Sequence, residues 1–98
     1  MKSSNPLEKV IEQATVKYAQ SKGALVYKFT SPNRRSVPDR IFIPKNKPAF
    51  FIEFKRLGQK PTAAQEIEIS KIRSQGTYVG VVDSIEAGRR VIEERMGV

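Results

Sequence analysis

The segment from residue 38 to residue 55, PDRIFIPKNKPAFFIEFK, most strongly limits how this chain can fold. Two apolar runs, residues 40–43 and 49–54, flank a Pro-Lys-Asn-Lys-Pro turn, which is typical of a β-hairpin. The same segment contains an aspartate, a glutamate and a lysine. A hairpin here therefore brings charged groups into an apolar setting, and their placement needs an explanation.

Pairing around the turn decides which of these side chains meet. A turn centred on Asn46 makes Ile41 face Phe51 and makes Asp39 face Glu53. Directly opposed side chains in an antiparallel pair have Cβ atoms about 4.5–5.5 Å apart, and like charges there are destabilising. The lysine lies two residues beyond the glutamate, so the strand period of two predicts that both share one face.

Two carboxylates forced together need a compensating charge. Mg²⁺ typically binds through one or two carboxylates and keeps its other positions for water and phosphate. Lys55 could then steady a developing negative charge or help a water attack. The alternative is an exposed Glu–Lys pair on an edge strand with Asp39 as a turn residue, but the flanking runs are too apolar for a solvent-exposed edge. We therefore predict a metal site at Asp39 and Glu53.

Length and charge limit the partners of the chain. Its 98 residues suffice for one domain, residues 1–98, with a single core. Eighteen Lys and Arg residues against ten Asp and Glu residues give a formal net charge of +8, which favours an anionic partner and above all nucleic acid. A small basic protein without such a partner is the alternative, but the paired acids argue against a plain phosphate-binding surface.

The residue types that the sequence lacks exclude several kinds of site. There is no cysteine and no histidine, which excludes disulfides, thiolate zinc sites and histidine-based acid–base catalysis. No apolar run approaches membrane-spanning length, and the MKSSNPLEK start lacks the hydrophobic stretch of a signal peptide. We therefore expect a cytoplasmic protein.

The first part of the chain predicts a helix with two acids near its apolar side. Asn5, Pro6 and Glu8 suit the N-cap, first and third helical positions, and apolar residues recur at helical spacing until Gly23. Glu8 and Glu12 are four residues apart and border that apolar stripe. Either could lean towards the sheet, although capping by Glu8 and a solvated edge at Glu12 are the simpler interpretations.

Two basic loops flank the hairpin. Residues 24–30, ALVYKFT, are typical of a strand and lead into a loop over residues 31–36. The adjacent Arg34 and Arg35 in that loop could contact phosphates beside the acids or could be merely solvated. Residues 56–61 form the second basic loop.

The rest of the chain predicts a layered α/β arrangement. Both faces of the hairpin carry large apolar residues, which indicates a sheet covered on both sides. Residues 62–65, TAAQ, form a capping-box pattern that opens a second helix, and Gln65 could either cap the backbone or face the attacking water or a phosphate. A short strand, YVGVV, is followed by a helix from about Ile85 to Met96 that Asp83 or Ser84 caps. The order is therefore helix, three strands, helix, strand, helix.

These motifs together resemble the PD-(D/E)xK nuclease superfamily, with Pro-Asp and then Glu-Phe-Lys on an αβββαβ frame. The surrounding sequences KFTSPNRRSVPDR, FFIEFKRLGQKPTAAQ and VVDSIE are similar to the VRR-NUC family over nearly the whole chain. Glu-x-Lys alone would be a weak motif, whereas its combination with Pro-Asp, the downstream glutamine and VVDS is specific. One departure is Ser36, where the family often has glycine. The resemblance implies an α/β, restriction-endonuclease-like fold: an αβββαβ core with a C-terminal helix and a mixed sheet flanked by helices.

The resemblance implies a role for each matching residue. Asp39 and Glu53 would hold Mg²⁺ or Mn²⁺, helped by the backbone carbonyl of Phe54. Lys55 would position or activate the attacking water. Gln65 matches a glutamine that the family has at the start of this helix.

The family also places an acid on the first helix. Archaeal junction resolvases of the superfamily carry it eleven residues before the glycine that ends the helix, which here favours Glu12. VRR-NUC sequences often have an acid at the Glu8 position, so both remain candidate ligands. The predicted DNA contacts are the basic residues near the acids: Arg34, Arg35, Arg40, Arg56 and Lys60.

The implied function is metal-dependent, structure-selective hydrolysis of phosphodiester bonds in branched or double-stranded DNA. Small members of the family resemble Holliday-junction resolvases, and a two-fold symmetric junction suits a homodimer, for which the final helix and its neighbouring strand are candidate surfaces. Flap, splayed-arm or duplex cleavage would use the same catalytic residues. A non-catalytic nucleic-acid-binding module and a ribosomal-type RNA-binding protein are further alternatives, although the latter has no use for opposed acids.

Overall fold

The computed structural model of the protein describes residues 6–98, so the cap predicted at Asn5 lies outside the described residues. The elements in chain order are α1 (Pro6–Ser21), β1 (Leu25–Lys28), β2 (Arg40–Ile43), β3 (Phe50–Phe54), α2 (Ala63–Ser74), β4 (Val79–Val82) and α3 (Ile85–Met96). The predicted order of helices and strands is confirmed. Within residues 6–98 no helix combines the length and the apolar character that a membrane span requires.

The four strands form one mixed sheet in the order β1-β2-β3-β4. The first two pairings are antiparallel, and β3 pairs with β4 in parallel, with α2 as the crossover between them. In the hairpin Ile41 pairs with Phe51, which is the predicted register. Asn46, at the centre of the turn, has φ 61°, a left-handed conformation that asparagine tolerates better than most residues.

One face of the sheet packs against α1 and α3. Strand side chains alternate between faces, so the even-numbered residues of the hairpin all point into this layer. The rings of Phe42 and Phe50 stack there with centroids 5.1 Å apart, and burying each ring stabilises the fold by roughly 2–3 kcal/mol. The buried cluster comprises Ile11, Ala19, Ala24, Phe42, Phe50, Ile52, Phe54, Val82, Ile92 and Met96.

The opposite face is covered only in part. α2 packs against β4, and Ile69 of the helix and Val79 of the strand are both buried. Over β1 this face is open, because Leu25 is 56% exposed and Tyr27 is 54% exposed. The prediction of a sheet covered on both sides is therefore right near β4 and wrong at β1. A single helix of 12 residues cannot cover four strands.

α1 and α3 approach each other closely at Gly88. A Cβ atom at this position would overlap the Oγ1 atom of Thr15, so the helix spacing requires glycine. The Thr15 hydroxyl donates to the Ile11 carbonyl at 2.9 Å, and the Tyr18 hydroxyl donates to Glu93 at 2.9 Å. The first bond lies within α1, whereas the second, together with the close approach at Gly88, fixes α1 and its two candidate ligands against α3.

Candidate active site

Asp39 lies where the chain enters β2, and both its backbone and its side chain are bonded. Its carbonyl accepts the N–H of Phe29 at 2.9 Å, and its Oδ2 atom accepts the N–H of Phe54 at 2.8 Å. Burial raises the pKa of the Asp39 carboxyl above its ordinary value, and the hydrogen bond from Phe54 opposes this shift. The side chain is thus held towards β3 by a backbone donor.

Glu53 is a buried acid in β3, with only 3% of its surface exposed. Its Oε2 atom accepts a hydrogen bond from Nε2 of Gln65 at 3.0 Å and lies 3.4 Å from Nζ of Lys55. Burial raises the pKa of Glu53 to about 7, and the charge of Asp39 raises it further, while Lys55 opposes the shift. Asp39, Glu53 and Lys55 are therefore brought together as the hairpin register predicts.

Gln65 does two things at the start of α2. Thr62 is the N-cap: its Oγ1 accepts the backbone N–H of Gln65 at 3.2 Å, and the side-chain Oε1 of Gln65 accepts the Thr62 N–H at 2.9 Å. This confirms the predicted capping box. Because Nε2 of Gln65 also donates to Glu53, capping and contact with the acids occur together. The sequence alone presented them as alternatives.

The two acids of α1 have different neighbours. Oε2 of Glu12 accepts a hydrogen bond from Nε of Arg40 at 2.7 Å, in a half-buried ion pair. Burial raises the pKa of Glu8, and the charge of Asp39 raises it further. The charge of Glu8 also raises the pKa of Glu53. The charge of Glu12 raises the pKa of Asp39. Glu8 is therefore the α1 acid whose charge acts on Glu53, and both α1 acids lie close enough to Asp39 to interact with it electrostatically. The spacing before the helix-ending glycine favoured Glu12.

Two of the five predicted DNA-contact residues are held in ion pairs with glutamates. Nη1 of Arg34 forms an ion pair with Glu68 at 2.8 Å, and Arg40 is paired with Glu12. The pairing with Glu68 was not anticipated, because the sequence does not reveal which face of α2 meets the loop before β2. Arg34 is nevertheless exposed, as are the other three predicted contacts: Arg35, Arg56 and Lys60.

The sequence also missed a contact of Asp83, which it offered only as a possible cap of α3. Ser84 is the cap, since its Oγ accepts the N–H of Ala87 at 3.0 Å. Oδ2 of Asp83 accepts the N–H of Gly58 at 3.1 Å, which ties the basic loop after β3 to the end of β4. The VVDS motif was the available signal, but its contact partner is distant in sequence.

Within residues 6–98, no three acidic, histidine or cysteine side chains are close enough to enclose a metal ion. The donors that are present nevertheless suit a hard divalent cation. Asp39 and Glu53 both have raised pKa values because burial penalises their charge, and a cation would relieve this penalty. Mg²⁺ needs only one or two carboxylates beside water and phosphate. Since the N–H and C=O of a strand residue point to the same side, the Phe54 carbonyl faces the Asp39 side of β3.

Comparison with known proteins gives one clear relative in sequence. None of the protein-family models compared with the chain matches it. A protein of Acyrthosiphon pisum secondary endosymbiont phage 1, named "Putative nuclease p44", is 40% identical over 77 residues. The aligned part covers 79% of this chain and 83% of the phage protein.

Two solved structures share the fold. One, described as "VRR_NUC domain", has a TM-score of 0.82 and 26% sequence identity, and the match covers 91% of this chain and 97% of the other. A second, described as "VRR_NUC domain protein", has a TM-score of 0.70 and 17% identity, with coverage of 94% and 89%. The restriction-endonuclease-like arrangement predicted from the sequence is thereby confirmed.

Proposed function

Because the chain belongs to the VRR-NUC nuclease family, we propose that it is a metal-dependent, structure-selective endonuclease that hydrolyses phosphodiester bonds of DNA. One observation carries this proposal: buried Glu53 lies beside Asp39, with Nζ of Lys55 3.4 Å from its Oε2 atom. A buried acid beside a half-buried one, with an adjoining ammonium, suits a cation and a phosphate better than any purely structural role. The nuclease domain would comprise residues 1–98.

Asp39 and Glu53 would hold Mg²⁺ or Mn²⁺, with the Phe54 carbonyl and Glu8 as further ligands and Glu12 as the alternative acid of α1. When bound, such an ion polarises the scissile phosphate and lowers the pKa of a coordinated water. The Phe54 N–H fixes the Asp39 carboxylate, so its orientation is set before DNA arrives.

Lys55 and Gln65 both contact the carboxylate of Glu53. Lys55, whose side chain is 14% exposed, places a positive charge next to the developing negative charge of the phosphate and can orient the attacking water. Gln65 holds Glu53 through its Nε2 atom, which makes it a positioning residue rather than a ligand of the substrate. The two donors meet the same carboxylate oxygen of Glu53.

Exposed basic residues near the site would bind DNA through its phosphates. Arg35, Arg56 and Lys60 are exposed and need no rearrangement. Arg34 and Arg40 would have to exchange a carboxylate for a phosphate, so their contributions should be smaller. Such contacts carry no sequence information, and binding should weaken steeply with salt.

The preferred substrate would be a four-way junction, and the active species a homodimer. A junction offers two equivalent cleavage positions, which a two-fold dimer can match with two active centres. The open sheet face with exposed Leu25 and Tyr27 offers apolar surface for pairing. The exposed residues of α3 include Arg89, Arg90 and Glu94, so its outer face suits pairing less well. Action on DNA would place the protein in the cytoplasm of a bacterial or phage-infected cell.

A cleavage panel tests the proposal. The protein is incubated with Mg²⁺, Mn²⁺ or a chelator on four-way junctions, flaps, splayed arms and duplexes, beside Lys55→Ala and the exposed control Lys17→Ala. We expect metal-dependent cleavage by the unaltered protein and by the control, and none by Lys55→Ala. Failure to cut any substrate with either ion would instead favour a non-catalytic DNA-binding module.

The junction and dimer parts need their own measurement. Light scattering at micromolar concentration gives the oligomeric state, and an immobile junction labelled on each strand gives the cut positions. Paired cuts on opposing strands by a dimer support a resolvase. A monomer that makes unpaired nicks would end the resolvase proposal, and preferred flap or duplex cleavage would redirect it to that substrate.

A further inference from the structure

The side-chain amide of Gln65 is used at both ends. Its Oε1 atom accepts the backbone N–H of Thr62 at 2.9 Å, and its Nε2 atom donates to Oε2 of Glu53 at 3.0 Å. A backbone N–H can only donate, so the end of the amide that faces Thr62 must be the oxygen. The end that faces Glu53 must then be the NH₂ group. The helix cap therefore decides which atom the amide presents to the acid.

Thr62 also fixes the backbone from which this amide extends. Its Oγ1 atom accepts the Gln65 N–H at 3.2 Å, so cap and third helical residue hold each other reciprocally. With one bond to the main chain and one to the side chain of Gln65, the amide has little freedom to rotate. A reversed amide would turn its oxygen towards the Glu53 carboxylate and lose the donor.

We infer that Thr62 is a positioning residue of the site, which acts by holding the Gln65 amide with its Nε2 atom towards Glu53. Within residues 6–98, the hydrogen bond from Gln65 and the ion pair with Lys55 both go to Oε2 of Glu53. A fixed Gln65 therefore sets the rotation of this carboxylate. It leaves the Oε1 atom of Glu53, to which neither contact goes, available to the proposed metal ion. The effect on cleavage rests on the nuclease function proposed above, whereas the positioning itself does not.

A purely structural role for the cap makes the opposite prediction for Gln65→Glu. A glutamate at this helical position keeps the capping box, because its carboxylate can accept the Thr62 N–H, and it favours a helix start electrostatically. It has no N–H to donate and adds a negative charge beside Glu53. If Gln65 only caps, this variant keeps full kcat even though the added charge beside Glu53 lowers its thermal midpoint. If Gln65 positions Glu53, kcat falls.

A graded series of substitutions at Thr62 separates the effects of its two hydrogen bonds with Gln65. Thr62→Ser keeps both, and Thr62→Ala loses the side-chain acceptor. Thr62→Pro also loses the N–H, while the native φ of −69° lies within the range of proline. The matched control is Ser84→Ala, which removes the equivalent cap hydrogen bond of α3, where Oγ of Ser84 accepts the Ala87 N–H at 3.0 Å.

The readouts are ¹⁵N relaxation of the Gln65 side-chain NH₂ group in metal-free protein, the thermal midpoint, and kcat and KM for cleavage. The amide should be ordered in the unaltered protein, in Thr62→Ser and in Ser84→Ala, and progressively more mobile in Thr62→Ala and Thr62→Pro. Gln65→Glu should lose about 10–100-fold in kcat with KM little changed, and Thr62→Ala about tenfold, as for residues that orient a metal ligand. Ser84→Ala should lower the thermal midpoint as much as Thr62→Ala without lowering kcat.

Two results would overturn the inference: a Gln65 amide that stays rigid in both Thr62→Ala and Thr62→Pro, or full kcat in Gln65→Glu. Because Gln65→Glu keeps the cap, it serves as the folded variant if Thr62→Pro does not fold. The relaxation measurement needs neither metal nor DNA. A lack of cleavage by the unaltered protein would therefore refute the proposed function, while the amide mobility would still decide the role of Thr62.

Discussion

The Oδ2 atom of Asp39 accepts the backbone N–H of Phe54 at 2.8 Å, so the aspartate that precedes β2 is bonded to the residue directly after Glu53. This bond holds two carboxylates near each other even though burial raises the pKa of both. The backbone hydrogen bond thus sets the position of the acids. In the metal-free protein their mutual repulsion lowers the stability of the fold. Activity and stability should therefore respond in opposite directions when one of the acids is neutralised.

Neutralising either acid should abolish cleavage. In Asp39→Asn and Glu53→Gln the proposed ion loses a charged ligand, while the exposed basic residues remain, so DNA binding at low salt should persist. Cleavage assays and binding titrations at low salt measure the two effects. Glu66→Gln, which makes the same charge change on the exposed face of α2, is the control. Full activity in either site variant would refute the assignment of these ligands.

The metal-free protein should become less stable as the pH rises from about 5 to about 8. The pKa of Glu53 is about 7 in the folded protein against 4.5 for an ordinary glutamate, so the folded state binds more protons in this window. The stabilisation is present below the lower value, is lost as the pH rises through the higher one, and amounts to about 3 kcal/mol. Urea unfolding at several pH values measures it. Glu53→Gln should flatten the dependence, and an equally steep dependence in that variant would contradict the assignment.

Glu8→Gln should impair cleavage more than Glu12→Gln. The charge of Glu8 raises the pKa of Glu53, whereas Glu12 acts on Asp39 and is already paired with Arg40. We expect a loss of about 10–100-fold in kcat for the first variant, in the range found for residues that tune a metal site. Glu12→Gln should mainly lower the free energy of unfolding, because it leaves Arg40 without its partner. The reverse order in kcat would make Glu12 the helix ligand.

Salt dependence should distinguish the two neighbouring arginines of the loop before β2. Arg35 is exposed, whereas Arg34 is paired with Glu68. Arg35→Ala should reduce the slope of log binding constant against log salt by about one unit, and Arg34→Ala by less. Fluorescence binding titrations between low and moderate salt give the slopes. Arg90→Ala, on the exposed side of α3, is the control, and an unchanged slope in Arg35→Ala would mean that this side chain is only solvated.

Gly88→Ala should destabilise the protein although alanine favours helices. The added Cβ would overlap Oγ1 of Thr15, and overpacking of this kind costs about 1–3 kcal/mol against a helix gain of about 1 kcal/mol. Thr15→Ala in the same chain should restore part of the loss, because it removes the overlapping atoms. A double-mutant cycle by urea unfolding measures the coupling. Additive effects of the two changes would show that the helices can move apart freely.

The sequence alone was sufficient to predict the parts of the site that depend on a local residue pattern. The hairpin register around Asn46 places Ile41 opposite Phe51, because turn position and strand alternation leave little choice. The capping box at Gln65 follows from four consecutive residues in the same way. Both patterns link residues that are near in the chain, so local rules determine them.

The features that the sequence could not determine depend on how distant elements pack. The pairing of Arg40 with Glu12 joins β2 to α1, and the pairing of Arg34 with Glu68 joins a loop to α2. Helical spacing alone placed Glu8 and Glu12 along the border of the same apolar stripe and could not reveal that Glu12 pairs with Arg40. The open face over β1 was missed because the hairpin pattern shows apolar residues on both faces but not how far one helix extends.

The open face over β1 makes the solubility of this protein depend on salt. Leu25 and Tyr27 are exposed on a strand that, within residues 6–98, pairs with β2 alone, and such edges tend to add further strands from neighbouring molecules. Mutual repulsion from a net charge of +8 keeps molecules apart at low ionic strength. Added salt screens that repulsion beyond about 8 Å at physiological strength while strengthening apolar association. Conditions that strip DNA from the protein during purification are therefore the conditions in which its solubility is lowest.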